Sequence, residues 1–125
     1  MVKNILVHAI LIGQDIMSIK PIVEQSFPEN SISVIEQGTV LLSDGKTFDC
    51  SIENYSDKYD KILYLVGSYK NNIIFFEEYL SNMINVFAKN NIFYNVDYEI
   101  ENDKDFVTSN VRHPDFTREF TSFSS

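Results

Sequence analysis

The segment from Lys61 to Glu101 constrains the fold most strongly, because the spacing of its apolar residues changes twice. Residues 62–66 are a short apolar run ended by Gly67, which is typical of a strand buried on both faces. Over 73–87 the apolar positions recur every three or four residues, which predicts an amphipathic helix flanked by asparagine caps. Residues 92–101 largely alternate, as in a half-buried strand. The segment is therefore predicted to be a βαβ unit with parallel strands.

The N-terminal part predicts a second central strand followed by a helix. Residues 4–12 form a nearly unbroken apolar run that is closed by Gly13. Either Asp15 or Ser18 can cap the short helix that follows, because both side chains accept hydrogen bonds from free N–H groups. The apolar residues of 19–27 then line one face of that helix.

Residues 32–52 predict extended segments joined by turns. A bulge or tight turn is expected at Gln37-Gly38, which interrupts the apolar residues of 32–42. Asp44-Gly45 predicts a hairpin with a type I′ turn. The return strand, 47–52, alternates and places Phe48, Cys50 and Ile52 on one face.

These elements predict an α+β fold, a ferredoxin-like βαββαβ sandwich with an inserted β-hairpin. The most apolar strands, 4–12 and 62–66, would be central in it. The alternative is a small doubly wound α/β sheet, which needs another helix that residues 43–60 do not supply.

The chain of 125 residues is predicted to be one domain over 1–105, followed by a C-terminal tail over 106–125. Phe116, Phe120 and Phe123 are spaced by four and three residues, so a short helix there would carry a narrow stripe of phenylalanines. Packing of this stripe on the protein's own sheet is the first interpretation. A homodimer contact through the three phenylalanines is the alternative.

Charge excludes one class of partner and indicates another. The net charge is −8, and the 10 lysines and arginines are scattered singly, which argues against direct binding of nucleic acid. Residues 36–60 hold six acids against two lysines, and residues 97–105 hold five against one, so these two blocks account for the whole net charge. The blocks can serve solubility and protect sheet edges, or they can form a docking surface for a basic partner.

The docking interpretation leads to the first hypothesis of function. The protein would be a cytoplasmic inhibitor or regulator of a basic protein, as immunity proteins and phage anti-defence proteins are. The residues predicted to bind the partner are all acidic: Asp97, Glu99, Glu101, Asp103, Asp49 and Glu53.

The second hypothesis is a small enzyme or ligand-binding domain with its site near His8, Gly67 and Ser68. Gly67-Ser68 would follow a central strand and precede a helix, where an anion can bind. His8 lies inside an apolar strand, where a core histidine is the commoner explanation, and His113 precedes Pro114 as part of a turn. The four glycines form no phosphate-binding motif, so an enzyme is the less favoured hypothesis.

No metal or cofactor is predicted. Two histidines and the single cysteine, Cys50, are too few for a closed zinc site, and the alternating acids lack the spacing of a calcium loop. One cysteine fits a reducing compartment, and no apolar run is long enough to span a bilayer, so a cytoplasmic location is expected. A secretory signal is the alternative, because Lys3 precedes an apolar stretch.

Overall fold

Seven strands and two helices make up the part of the chain that the computed structural model describes, residues 2–25, 32–56, 58–102 and 105–116. The strands form one sheet in the order β2-β3-β4-β5-β1-β6-β7, and each neighbouring pair is antiparallel. In chain order the elements are β1 (Val2–Ile12), α1 (Ile16–Glu24), β2 (Ile32–Glu36), β3 (Thr39–Ser43), β4 (Phe48–Ser56), β5 (Tyr59–Asn72), α2 (Ile73–Lys89), β6 (Phe93–Asn102) and β7 (Asp105–Arg112).

The predicted ferredoxin-like βαββαβ sandwich is wrong, because the protein is mostly β and is built on a seven-stranded antiparallel sheet. Two segments explain the difference. Residues 32–43 fold back on themselves and form two strands, and residues 105–112 add a further strand beside β6. The doubly wound alternative is also wrong, since that fold requires hydrogen-bonded neighbours that are parallel.

The prediction that the two most apolar strands are central is confirmed. β1 lies between β5 and β6, and β5 lies between β4 and β1, so both strands have a partner on each side. β5 and β6 are each antiparallel to β1, and they therefore run parallel to one another, as the βαβ prediction required. β1 separates them, so the α2 connection crosses over one intervening strand.

Gly67 does not end its strand. β5 continues through it to Asn72, and Gly67 stands opposite Val7 on one side and Cys50 on the other. The strand is 14 residues long. The apolar run 62–66 therefore marks the middle of β5 rather than its whole length.

The type I′ turn predicted at Asp44-Gly45 is wrong, and a turn of this type is found instead between β2 and β3. Gln37 and Gly38 join β2 to β3 with φ of 52° and 78°, the two positive values that such a turn requires. The β3–β4 connection is wider, and Asp44 is not among the described residues with positive φ. Its geometry depends on hydrogen bonds to the Asp44 side chain.

The structure shows which of the candidate residues cap the two helices. Asp15 is the N-cap of α1 and accepts a hydrogen bond from the backbone N–H of Ser18 at 2.8 Å, which lowers the pKa of Asp15. Asn72 caps α2 in the same way, through the N–H of Ile74 at 2.8 Å. Asn90 is the C-cap of α2. Short polar side chains thus set the ends of both helices.

The two faces of the sheet differ, and we call them the covered face and the open face. The covered face packs against both helices and contains most of the hydrophobic core. Side chains at odd positions of β1 and of residues 61–72 in β5 point to it, and those at even positions point to the open face. Its fully buried members from the strands and helices include Ile5, Leu11, Ile19, Leu42, Ile52, Leu63, Leu65, Phe76, Met83 and Phe87.

The beginning of the predicted tail belongs to the sheet, because residues 105–112 form β7. Phe116 follows it and is buried against Ile12 and Ile62 at one end of the open face. The packing of Phe116 on the protein's own sheet agrees with the first interpretation for that residue. Phe120 and Phe123, and with them the rest of the predicted helix, lie outside the described residues.

Candidate functional site

Five of the six predicted partner-binding acids lie on the open face. On β4 the residues Phe48, Cys50 and Ile52 are buried on the covered face, so the alternate positions point to the open face. On β6 the same argument follows from buried Tyr94 and Val96. The open-face acids are Asp49 and Glu53 of β4 and Asp97, Glu99 and Glu101 of β6; Asp103 lies outside the described residues.

These acids do not protect the sheet edges. The edges are β2 and β7, whereas β4 is third and β6 is sixth in the strand order. Two strands, β5 and β1, separate the two groups of acids, which corresponds to about 14 Å between β4 and β6. For these five acids the edge-protection interpretation is therefore not favoured, and both groups lie on one surface.

Strand pairing sets which side chains stand side by side on the open face. Residues directly opposite in an antiparallel pair have neighbouring side chains. Across the seven strands one row is Val34, Leu41, Ser51, Val66, His8, Asp97 and Asn110. The next row is Ser43, Asp49, Ser68, Leu6, Glu99 and Thr108.

An apolar groove of about 690 Å³ runs over β4 on the open face, and we call it the β4 groove. One wall is formed by Val34 and Leu41, which are 45% and 38% exposed, and the other by Val66 and Leu6, at 37% and 36%. Ser51 lies on its floor, where a small side chain leaves the groove open. The groove is therefore a concave apolar surface that the protein's own described elements leave uncovered.

Asp44 stands at one end of the β4 groove and holds the β3–β4 turn. Its carboxylate accepts hydrogen bonds from the backbone N–H groups of Lys46, Thr47 and Phe48 at 2.8, 2.7 and 3.1 Å, and from the Thr47 hydroxyl. Partial burial opposes ionisation, but these hydrogen bonds outweigh it and lower the pKa of Asp44 to about 2. Asp44 is a structural carboxylate.

Within the described residues, none of the other open-face carboxylates forms an ion pair with a lysine or arginine side chain. Asp97 accepts a hydrogen bond from the Asn110 side-chain amide at 2.7 Å, and Glu101 accepts one from the Asn4 amide at 3.2 Å. Asp49 accepts one from the Ser43 hydroxyl at 2.7 Å. These neutral donors orient the carboxylates and leave their charge in place.

His8 lies between the two groups of acids and is half-buried. Its Nδ1 is 3.0 Å from the Tyr64 hydroxyl, and the two rings stack with centroids 6.2 Å apart. Tyr55 contacts the Tyr64 ring edge-on at 6.5 Å. The residues opposite His8 in the neighbouring strands are Val66 and Asp97. The imidazole is therefore part of the open face and is not sealed in the core.

The second hypothesis placed His8, Gly67 and Ser68 in one site. Ser68 and His8 share the open face as diagonal neighbours on adjacent strands, about 7–8 Å apart. A Cβ added to Gly67 would contact the Cβ atoms of Cys50 and Val7 at 3.8 Å, so this position turns to the covered face. The structure therefore brings two of the three residues together, and neither lies at a helix N-terminus.

Nucleophilic chemistry at His8 lacks a thiol partner. Cys50 faces the helices on the other side of the sheet, and burial raises its pKa to about 12. His113 is engaged in the turn after β7, where its Nδ1 accepts a hydrogen bond from the backbone N–H of Asp115 at 3.0 Å. Its ring also packs edge-on against Phe93 at 4.8 Å. Both groups have structural roles.

Comparisons with known proteins add no assignment: no protein-family model, curated protein or solved structure matches the chain. Within the described ranges no group of histidine, cysteine and acidic residues could hold a metal ion. Neither of the two described helices combines the length and the apolar character needed to cross a membrane. The function must therefore be argued from the open face itself.

Sequence reasoning missed the walls of the β4 groove. Residues 4–12 and 62–66 are nearly continuous apolar runs, a pattern that indicates burial on both faces and so predicts that Leu6 and Val66 lie in the core. Leu41 belonged to another apolar run, and Val34 to a strand with no assigned face. Their convergence depends on strand order and register, which no single segment encodes.

Proposed function

We propose that the protein binds a basic protein partner through the open face and thereby inhibits or regulates it, as an immunity or anti-defence protein does. One observation carries this proposal: strand register collects Asp49, Glu53, Asp97 and Glu99 on one face, beside an apolar groove that the described part of the chain leaves uncovered. The cytoplasm is the proposed location, because a single cysteine suits a reducing compartment.

The arrangement supports binding for two physical reasons. Carboxylates that are oriented by neutral donors keep their charge, and a cluster of them creates a negative potential that accelerates encounter with a positive surface. The apolar walls supply area that a partner can remove from water. Charge would determine how fast the complex forms, and the groove would add to how long it lasts.

The test begins with capture of the partner from the source cells on the tagged protein, followed by measurement of association rates. The double variant Asp97→Asn/Glu99→Gln removes two open-face charges, and Glu77→Gln/Glu78→Gln removes two exposed charges from α2 as a matched control. We expect the open-face variant to associate about tenfold more slowly at low salt, and the control to match wild type.

Salt provides the second arm of this test. The association rate of wild type should fall steeply between low and high ionic strength, because screening shortens the range of the attraction. The open-face variant should show a weaker salt dependence. Equal association rates for all three proteins, unaffected by salt, would show that the acidic face does not attract the partner.

A ligand site beside His8 is the second candidate function, favoured by the His8–Tyr64 hydrogen bond next to the β4 groove. Such a ligand would use the Tyr64 hydroxyl and the imidazole for orientation. In a thermal-shift screen of small polar compounds, a hit that raises the Tm of wild type and not of Tyr64→Phe would support it. Hits that act equally on both proteins would contradict it.

A further inference from the structure

The β4 groove has a strand spacing that suits the apolar stripe of a helix. Its inner walls, Leu41 on β3 and Val66 on β5, rise from strands about 10 Å apart, and an α-helix about 10–12 Å wide can lie over this span with its apolar side chains inserted between the walls. A strand lying face-on would leave its backbone groups without partners, whereas a helix satisfies its own. The covered face of the same sheet is already packed by two helices, so a helix suits the open side as well.

The acidic residues of β4 favour a helix that carries basic side chains. Asp49 and Glu53 lie on the same face of β4, two residues to either side of Ser51, and about 14 Å separates them along the strand. About nine residues of a helix cover that distance. A helix with apolar residues against the walls and basic residues near both ends of this span would meet both carboxylates. A second copy of this chain, with its net charge of −8, would be repelled.

We propose that the β4 groove binds one cationic amphipathic helix of the partner. Its apolar stripe packs between Leu41 on one wall and Val66 and Leu6 on the other. Lysine or arginine side chains flanking the stripe reach Asp49 and Glu53. This inference rests on the proposed function and adds the form of the partner's binding segment.

Two synthetic peptides test the inference without the natural partner. Each has about 18 residues, five helical turns, of leucine and lysine only. In the first peptide the leucines recur every three or four residues and form a stripe, and in the second the same residues are shuffled around the helix. Calorimetry should show about tenfold tighter binding of the striped peptide, and circular dichroism should show that its helix content rises on binding.

Groove variants locate the binding site. Leu41→Thr/Val66→Thr makes both walls polar and shortens one side chain by a single heavy atom, and Ile74→Thr/Val107→Thr makes an equivalent pair of changes at exposed positions away from the groove. The wall variant should bind the striped peptide about tenfold more weakly, and the control should bind it as wild type does. Equal binding of the two peptides, binding without gain of helix, or equal loss in both variants would overturn the inference.

Two further outcomes separate this inference from the proposed function. If the captured partner associates in a salt-dependent way but binds the wall variant with the same affinity as wild type, the groove inference fails and the proposed function stands. If its association rate is unchanged by Asp97→Asn/Glu99→Gln while its affinity falls with the wall variant, the electrostatic part of the proposed function fails instead. A wild-type dimer in sedimentation that the wall variant converts to a monomer would mean that a second copy occupies the groove, which also overturns the inference.

Discussion

The covered and open faces of the sheet are built from the same strands, yet they have different roles. On β1, Ile5 is fully buried against the helices while its neighbour Leu6 is 36% exposed. On β5, Leu65 and Val66 show the same contrast. A fully buried aliphatic or aromatic side chain contributes about 1.5–3 kcal/mol to stability, and a half-exposed one contributes much less. The covered face therefore contributes most of the stability, and outside the buried cluster of Ile12, Ile62 and Phe116 the open face can vary in chemistry without unfolding the protein.

The largest expected effect comes from breaking the covered face. Phe76 is fully buried on α2, and its ring lies 5.4 Å from that of Tyr69 and 5.3 Å from that of Tyr98. We expect Phe76→Ala to lower the free energy of unfolding by about 3–5 kcal/mol, because it leaves a cavity at the centre of the core. On the open face, Val66→Thr should lower it by less than about 1 kcal/mol. Urea titration followed by circular dichroism measures both.

If Phe76→Ala does not fold, Phe76→Leu can replace it, because leucine keeps most of the side-chain volume. The free energy of unfolding can then still be compared between the two faces. It is expected to cost less than Phe76→Ala and still more than Val66→Thr. A loss for Val66→Thr as large as for the Phe76 variants would show that the open face carries the fold as much as the covered face does.

The periodic segments of the sequence predicted their own structure well. α2 and β6 show clear spacings of three to four and of two residues, and the structure has both elements with the expected faces buried. The strand break at Gly67 was wrong for a local reason. Glycine commonly marks a turn, but here it lies inside a long central strand whose pairing on both sides overrides that tendency.

The site could be predicted only in part, because its parts are distant in the sequence. The acids of β4 and β6 were identified as two blocks, but their shared face depends on β5 and β1 lying between them in a fixed register. Three of the four wall residues, Leu6, Leu41 and Val66, lie in apolar runs that are typical of a core. Composition thus indicated a charged surface, and only pairing across the sheet showed the groove beside it.

A pair of glycines tests how tightly the covered side is packed, with an effect of intermediate size. A Cβ on Gly13 would lie 2.7 Å from the Asn91 carbonyl oxygen, and φ at Gly13 is +129°. Gly13→Ala should therefore lower the free energy of unfolding by about 1–3 kcal/mol. Gly67 borders a cavity of about 20 Å³ on the covered face, and its added methyl would make only ordinary contacts.

Gly67→Ala is accordingly expected to raise the free energy of unfolding by up to about 1 kcal/mol, because alanine restricts the unfolded chain and fills space. Thermal unfolding of the two variants side by side gives the comparison. A loss in Gly67→Ala equal to that in Gly13→Ala would mean that the covered face has no spare room there.

The smallest expected effect distinguishes two carboxylates that both line the β4 groove, Asp44 and Asp49. Asp44 accepts three backbone hydrogen bonds and one from a hydroxyl, whereas Asp49 accepts one from Ser43. At pH 7, Asp44→Ala should cost about 1 kcal/mol, as the loss of a capping side chain does. Asp49→Ala should change the free energy of unfolding by less than about 0.5 kcal/mol.

The pH dependence of stability sharpens this last comparison. The pKa of Asp44 is lowered from 3.8 to about 2 in the folded protein, so its ionised form stabilises the fold above about pH 4. That contribution disappears as the pH falls from about 4 to about 2, because protonation then becomes favourable in the folded state as well. Asp44→Asn should flatten this part of the stability curve. If this variant shows the same pH dependence as wild type in urea unfolding between pH 5 and pH 2, the turn is held by other contacts and the carboxylate of Asp44 is free to serve binding.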